Sequence, residues 1–151
     1  MRKPNIDKTD EKIIDILAAD SRMSYREIAK RVRLSAPSTM ERIAKLRDAG
    51  VIQGFTISVD RVALGLPVQA VMRIATDTSK GAKLMGAIAA APEIEECHKV
   101  TGPDSYVLKV SAASVAALDD LVDRLSAAGV VNTSIILSTP VPRRLPRSAK
   151  K

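Results

Sequence analysis

The stretch Ser24-Tyr25-Arg26-Glu27-Ile28-Ala29-Lys30-Arg31-Val32-Arg33-Leu34-Ser35-Ala36-Pro37 decides how the first third of this chain folds. Its first four residues form a capping box, in which the Ser24 hydroxyl reaches the amide of Glu27 and the Glu27 carboxylate reaches back. Met23 and Ile28 stand at the two hydrophobic-staple positions around that box, which sets the angle at which the chain enters the helix. Ile28, Ala29 and Val32 then make an inner face. Arg33-Leu34-Ser35 interrupts the period, Ser35 can cap a further helix, and Pro37 falls in that helix's first turn, where a missing N–H costs little. Upstream, Ile13, Ile14, Ile16 and Leu17 recur at helical spacing, with Asp7 or Thr9 available as cap, and predict a helix ending near Asp20. Downstream, the third helix is expected to bury Met40, Ile43, Ala44 and Leu46 and to stop before Gly50, a residue suited to a left-handed terminator.

Two helices joined by a three-residue turn, the second of them basic, have the proportions of a helix-turn-helix. With Met40, Ile43 and Ala44 inward, Ser38, Thr39, Glu41, Arg42 and Lys45 are expected outward. In that arrangement Ser38, Thr39 and Arg42 would read base edges and Ser35 would cap the reading helix. Arg26, Lys30 and Lys45 would engage phosphates, with Arg22 and Arg31 nearby. Glu41 and Lys45, four apart, also suit a local ion pair.

The distribution of charge agrees. The chain of 151 residues carries 24 Lys and Arg against 17 Asp and Glu, a net charge of +7. Residues 1–60 contribute +3, residues 61–140 contribute −1, and residues 141–151 contribute +5. Between Arg22 and Arg47 eight basic residues face only Glu27 and Glu41. A basic module that meets a polyanion, joined to a neutral module with another task, accounts for this asymmetry; solvated basic helix faces are the plainer alternative. The tail from Pro140 has no periodicity and reads as disordered, either adding a sequence-independent pull on phosphates or serving only to solubilise the chain.

After Gly50 the period switches. Phe55, Ile57 and Val59 alternate with Thr56, Ser58 and Asp60, which predicts a half-buried strand. Arg61-Val62-Ala63-Leu64-Gly65-Leu66-Pro67 then breaks the pattern, so a hinge is placed at 61–66, between a DNA-binding domain of 1–60 and a second domain of 67–140. In the second domain, strands are expected over 68–76, 94–101, 105–112 and 130–139, and helices over 80–91 and 114–128. The order β-α-β-β-α-β is that of a ferredoxin-like domain, and the fold class is α+β. Adjacent apolar residues such as Val107-Leu108 and Ile135-Ile136-Leu137 suggest a sheet apolar on both faces, one of which a second subunit would cover.

In these segments the chain resembles the leucine-responsive regulator and asparagine-synthetase activator (Lrp/AsnC, feast/famine) family of prokaryotic transcription factors. The resemblance runs from about Ile6 to Thr139. It rests on Ile6-Asp7-Lys8-Thr9-Asp10 with Ile14 and Leu17, on Ser24-Tyr25-Arg26-Glu27-Ile28-Ala29, and on Leu34-Ser35 with Glu41-Arg42-Ile43 and Leu46. Gly50-Val51-Ile52-Gln53-Gly54-Phe55, Glu96-Cys97-His98, Val100-Thr101-Gly102 and Tyr106-Val107-Leu108-Lys109 complete it. It implies a winged helix-turn-helix followed by a ligand-sensing βαββαβ (RAM-type) domain. It also implies homodimers that assemble further, to an octamer, and an amino acid or related metabolite as effector. The implied effector site is the turn Thr101, Gly102, Pro103, Asp104, Ser105 and Tyr106. Many family members carry an acidic Gly-Asp-aromatic-Asp turn here, whereas this chain has Gly102-Pro103-Asp104-Ser105. The amides of Gly102 and Asp104 and the hydroxyls of Thr101 and Ser105 could still serve a zwitterion's carboxylate and ammonium. Ser138 and Thr139, assigned to the matching end of the last strand, are further candidates.

Other chemistry finds little support. Cys97 and His98 are adjacent on a strand, so they point to opposite faces and cannot form a nucleophile–base dyad; a buried or half-buried structural pair is expected. One Cys and one His are too few for a closed zinc site. No phosphate-cradling glycine motif occurs, and Glu93, Glu95 and Glu96 read as a solvated rim. With only Tyr25, Phe55 and Tyr106 as aromatics, the chain lacks the stacking platforms of RNA-binding domains of the same strand order. Neither a catalytic group nor a cofactor site is expected. The single cysteine and the absence of a secretory apolar segment suit a cytoplasmic, nucleoid-associated protein with no membrane partner. The alternative function is an architectural nucleoid protein that coats DNA without sensing an effector.

Overall fold

A computed structural model describes residues 5–146. The described residues divide into two compact units, one of residues 5–58 with 143–146, the other spanning Val59–Pro142.

The first unit is built from α1 (Lys8–Ala19), α2 (Tyr25–Val32) and α3 (Ala36–Asp48). Each helix starts on a side chain that satisfies amides with no intrahelical partner. The Asp7 carboxylate accepts from the amides of Thr9 and Asp10, at 2.8 Å each. The Ser24–Glu27 box closes in both directions, with the Ser24 amide 3.1 Å from Glu27 Oε2 and the Glu27 amide 3.3 Å from Ser24 Oγ. Ser35 Oγ accepts from the Ser38 amide at 3.2 Å. Between α2 and α3 the chain reverses through Arg33, whose φ of 59° is the left-handed conformation. There the Leu34 amide reaches the Ala29 carbonyl at 3.0 Å, which ends α2 without wasting a donor. Ile13, Ile16, Leu17, Ile28, Ile43 and Leu46 form the core, with Met23 and Val32 against it.

Two expectations for this unit are corrected. On α3 the inward side chains are Thr39, Ile43 and Leu46, while Met40 is 53% exposed and Ala44 is exposed as well. The helix is therefore rotated from the expected setting, because Thr39 satisfies its hydroxyl on the Ser35 carbonyl at 3.0 Å and can be buried without cost. The strand expected through Phe55, Ile57 and Val59 does not form. No strand among the described residues pairs with it, and an alternating segment without a ladder partner has no reason to become a strand. These three side chains stay exposed.

The second unit has β1 (Val68–Ala75), α4 (Gly81–Ala89), β2 (Ile94–Lys99), β3 (Tyr106–Ala112), α5 (Val115–Ser126) and β4 (Val130–Ile135). Its antiparallel sheet has the order β2-β3-β1-β4, the expected βαββαβ arrangement. Ala70, Met72, Ile74, Leu108 and Val110 point to the helix-covered face and meet Leu84, Ile88, Leu118, Leu121 and Leu125. Burying each large apolar side chain stabilises the unit by about 1.5–3 kcal/mol.

The opposite face is not uniformly apolar as expected. Cross-strand neighbours there run His98, Val107, Arg73 and Asn132 in one row and Glu96, Lys109, Val71 and Ser134 in the next. The segment 61–66 is likewise not a free hinge. It is a hydrogen-bonded turn within the second unit, with the Leu66 amide 2.8 Å from the Arg61 carbonyl and Gly65 at φ 77°. Arg61 grips Glu95 through Nε and Nη2, at 2.5 Å each. The described part of the tail, to residue 146, has no regular secondary structure; residues 147–151 lie outside the described residues.

Candidate nucleic-acid interface and effector site

Arg26, Lys30, Ser35, Ser38 and Lys45 are all exposed on the helix-turn-helix, as a DNA-facing role requires. Thr39 is fully buried and cannot face DNA. Arg42 is committed elsewhere: its Nη1 donates to Asp7 Oδ2 at 2.7 Å and to Asp10 Oδ1 at 2.8 Å. Asp10 is buried, and its second carboxylate oxygen accepts from the Asp7 amide at 3.1 Å, so it needs the guanidinium as partner. Hydrogen bonds from the Asp10 amide and then from Arg42 hold the Asp7 carboxyl below its ordinary range. The sequence signal for this role was present in Asp7 and Asp10, which can be read as caps alone until the third helix is rotated into place.

Outward on α3 are Pro37, Ser38, Met40, Glu41, Ala44 and Lys45, with Arg47 and Asp48 in its last turn; the polar ones in the first turns and middle of the helix are Ser38, Glu41 and Lys45. Lys45 Nζ lies 2.8 Å from Glu41 Oε1, the expected local pair, and hydrogen bonding by Lys45 lowers the Glu41 pKa. Ser38 Oγ accepts the Ser35 hydroxyl at 2.8 Å, which leaves its own proton free to donate.

In the second unit the turn at 101–105 is held at one end of the sheet. The Ser105 amide donates to the Ile74 carbonyl at 2.8 Å. Its hydroxyl donates to the Thr76 carbonyl at 3.1 Å and accepts from the Thr76 amide at 3.2 Å. Ser105 therefore fastens the turn to the end of β1, a structural task beyond the expected ligand-facing one. Gly102 takes φ 115°, which a side chain would strain, while Thr101, Gly102 and Pro103 are exposed and Asp104 and Tyr106 half-buried. Beside Thr76 opens a cleft of about 430 Å³, lined among others by Asp77, Lys80, Ser126 and Gly129.

Ser138 and Thr139 are not at the matching end. Val131 pairs with Ile74 beside the turn, whereas Ile135 pairs with Ala70, so the chain past Ile135 leaves at the other end of the sheet. Ile136, five positions beyond Val131, still bonds the Gln69 carbonyl, on the order of 17 Å along the sheet from the turn, and Ser138 is only two residues further on. Within one chain the two groups of candidates cannot line a single site.

The remaining sequence motifs are structural. Cys97 faces the core side, where burial raises its thiol pKa, while His98 points outward with Nε2 3.3 Å from Glu96 Oε2, so the two are not a buried pair. Glu93 and Glu95 are not a solvated rim. Glu93 pairs with Arg124 at 2.5 Å, and Glu95 binds Arg61 and the buried Ser111 hydroxyl, at 2.6 Å for the latter. Arg61 holds the Glu95 carboxyl down at about 2, with Ser111 assisting against the cost of burial. Among the described residues no group of His, Cys, Asp or Glu is arranged to hold a metal ion, and no helix is long and apolar enough to cross a membrane.

A capped, basic helix-turn-helix followed by a separate βαββαβ unit is the build of a DNA-binding regulator with its own ligand-binding domain. Residues 6–53 match the family model described as winged helix-turn-helix DNA-binding, and residues 69–146 match the Lrp/AsnC ligand binding domain. The HTH-type transcriptional regulator LrpC of Bacillus subtilis is 34% identical over 133 residues, covering 88% of this chain and 92% of that protein. The HTH-type transcriptional regulator FL11 of Pyrococcus horikoshii is 36% identical over 142 residues, covering 92% and 93%. Among solved structures, Bacillus subtilis LrpC superposes with a TM-score of 0.87 at 32% identity, covering 93% of this chain and all of that one. The feast or famine regulatory protein of Mycobacterium tuberculosis, complexed with L-methionine, gives 0.85 at 32% identity, covering 94% and 99%. The chain belongs to the Lrp/AsnC family of transcriptional regulators.

Proposed function

We propose that the DNA binding or assembly of this regulator responds to an amino acid or a related metabolite, taken up at the end of the sheet formed by the turn 101–106. The supporting observation is the turn itself. Gly102 and Pro103 are exposed, Ser105 anchors the turn on Thr76, and the adjoining cleft offers hydroxyl, carboxylate and ammonium groups together. Such a site matches a zwitterion, and a related solved structure carries L-methionine. An effector regulates only by binding one state better than another, and a site shared with a second copy supplies such a difference. Ser138 and Thr139 lie far from the turn within a chain and could join it only from another subunit. Exposed Phe55, Ile57 and Leu137 support self-association, and the family resemblance extends this to homodimers that assemble further, to an octamer.

Arg26 and Lys30 supply phosphate contacts in this reading, with Ser38 and Lys45 facing the groove, and the protein works in the cytoplasm on chromosomal DNA. The test is a thermal-shift screen of the twenty amino acids, followed by footprinting with and without any amino acid that stabilises the protein. A periodic, sequence-selective footprint that the amino acid changes is expected. Uniform coverage of any DNA, unaffected by all twenty, would replace this reading with a coating protein. A monomeric sedimentation profile at micromolar concentration would remove the assembly half of the proposal.

A further inference from the structure

The rotation of α3 and the capture of Arg42 leave an acid in the middle of the reading stripe. Ser38, Glu41 and Lys45 fall within one narrow strip of the helix, at spacings of three and four residues. Pro37, Met40 and Ala44 beside them offer no hydrogen bond to a base edge, and Arg47 and Asp48 stand in the last turn, away from the N-terminal part of the helix that enters the groove. Arg42, the side chain best suited to guanine, is held by Asp7 and Asp10 and could leave only by stranding the buried Asp10 carboxylate. An exposed carboxylate in the strip would repel phosphates, but Lys45 Nζ, 2.8 Å from Glu41 Oε1, offsets that charge. Glu41 Oε2 remains as an acceptor.

We infer that Glu41 is a specificity-determining residue that selects cytosine in each half-site through its exocyclic amine, while Lys45 neutralises it and donates towards the guanine edge. This rests on the reading of the chain as a sequence-selective DNA-binding protein. The chemistry is restrictive. A carboxylate only accepts, and in the major groove the donors are the amino groups of cytosine and adenine. Adenine presents its amine beside the N7 acceptor, which repels a second carboxylate oxygen, whereas a glutamine satisfies both. Cytosine presents the amine alone, and its paired guanine offers O6 and N7 to the Lys45 ammonium.

The experiment is selection of bound sequences from a randomised duplex pool, run with the full-length wild type, Glu41→Gln and Glu41→Ala. Glu41 is on the surface and its caps and core are untouched by either change, and a thermal melt of each variant checks this. The wild type is expected to enrich a cytosine at a fixed place in each half-site by about tenfold over the other bases. Glu41→Gln should move the preference at that place to adenine, and Glu41→Ala should leave it without preference. Preferences unchanged in both variants, or a wild-type site with no fixed cytosine, would overturn the inference while leaving selective DNA binding intact. A uniform gain in affinity with the same base preference would also overturn it, since Glu41 would then be only a repulsive charge. If the wild type itself enriches no sequence, the reading of the chain as a selective regulator fails first, and this inference with it.

Discussion

The Arg42 guanidinium lies 2.8 Å from the Asp10 carboxylate, joining the third helix of the DNA-binding unit to the first across 32 residues of chain. Asp7 takes a second hydrogen bond from the same nitrogen, at 2.7 Å. A residue whose type and helical position suggest base reading is thereby part of the scaffold that fixes the reading helix. The pairing also explains why Asp10 can be buried on α1 at all, since an unpaired carboxylate there would be costly.

Arg42→Ala should therefore act on stability before it acts on DNA. Loss of the pair leaves Oδ1 of the buried Asp10 unsatisfied, at a cost of about 1–3 kcal/mol. A thermal melt should show a lower midpoint for the DNA-binding unit. The log–log salt slope of binding, measured well below that midpoint, should be unchanged. A phosphate contact by Arg42 would instead reduce that slope by about 0.9 with little change in stability.

A second ion pair gives the other unit a pH signature. Arg61 and the Ser111 hydroxyl hold Glu95 ionised down to about 2, well below the ordinary 4.5 of a glutamate. A carboxyl whose folded pKa is depressed contributes stability that is fully present above the unfolded value, and loses it as pH falls through the folded one. Glu95→Gln should thus cost on the order of 2 kcal/mol at pH 7, allowing for partial exposure of the pair. The difference between wild type and variant should shrink as pH falls from 4.5 towards 2, read by denaturant melts across that range. A difference independent of pH would assign the loss to packing alone.

Local signals in the sequence carry much of this architecture. The Ser24–Glu27 box, the Ser35 cap and the β-rich composition of β1 each depend on neighbours within a few residues, and such short-range chemistry can be read directly. The rotation of α3 could not be read in the same way. Met40 and Ala44 fit the apolar period as well as Thr39 does, and only the Thr39 hydroxyl's bond to the Ser35 carbonyl makes the buried choice favourable. Phe55, Ile57 and Val59 show the converse: alternation states what a strand would look like, but whether a partner strand exists is a fact about the rest of the fold. The distance between the turn at 101–106 and Ser138 follows from antiparallel registers, which no single segment encodes.

Arg33 gives a prediction of opposite sign. Its φ of 59° and ψ of 45° place a residue with a Cβ in the left-handed region, where glycine alone sits without steric cost. The strained conformation costs about 1–2 kcal/mol, and glycine's greater freedom in the unfolded chain takes back about 0.5–1 kcal/mol. Arg33→Gly should therefore stabilise the DNA-binding unit by roughly 0.5–1 kcal/mol. Equal or lower stability in a denaturant melt would mean that the Arg33 side chain makes compensating contacts.

Ser105→Ala separates anchoring from ligand contact. The substitution removes both bonds to the Thr76 backbone and leaves the partly buried Thr76 amide without its partner. A loss of about 1–2 kcal/mol is expected in the second unit, with the first unit's melt unaffected. Ser105→Thr keeps the hydroxyl and should recover most of the stability. Equal melting of wild type and the alanine variant would show that the turn is held by its backbone bonds alone.

Gly129 offers the sharpest steric test. A Cβ built there would lie 2.7 Å from the Ala75 carbonyl oxygen and 2.9 Å from Ile74 Cγ2, on the strand that β4 joins. The Ala75 oxygen is backbone and cannot swing aside, so the turn from α5 into β4 would have to move as a whole. Thr76 would be disturbed with it, since its hydroxyl donates to the Ala128 carbonyl at 2.7 Å and its Cβ lies 3.3 Å from the same point. Gly129→Ala should cost about 1–3 kcal/mol as an overpacked site. Because the cleft beside Thr76 is built from these residues, the variant should also weaken whatever stabilisation an amino acid gives to the wild type. A control substitution of Gly86, which has open space around its Cβ position, should not lower the melting temperature. Equal effects at both glycines would argue against the close approach at Gly129.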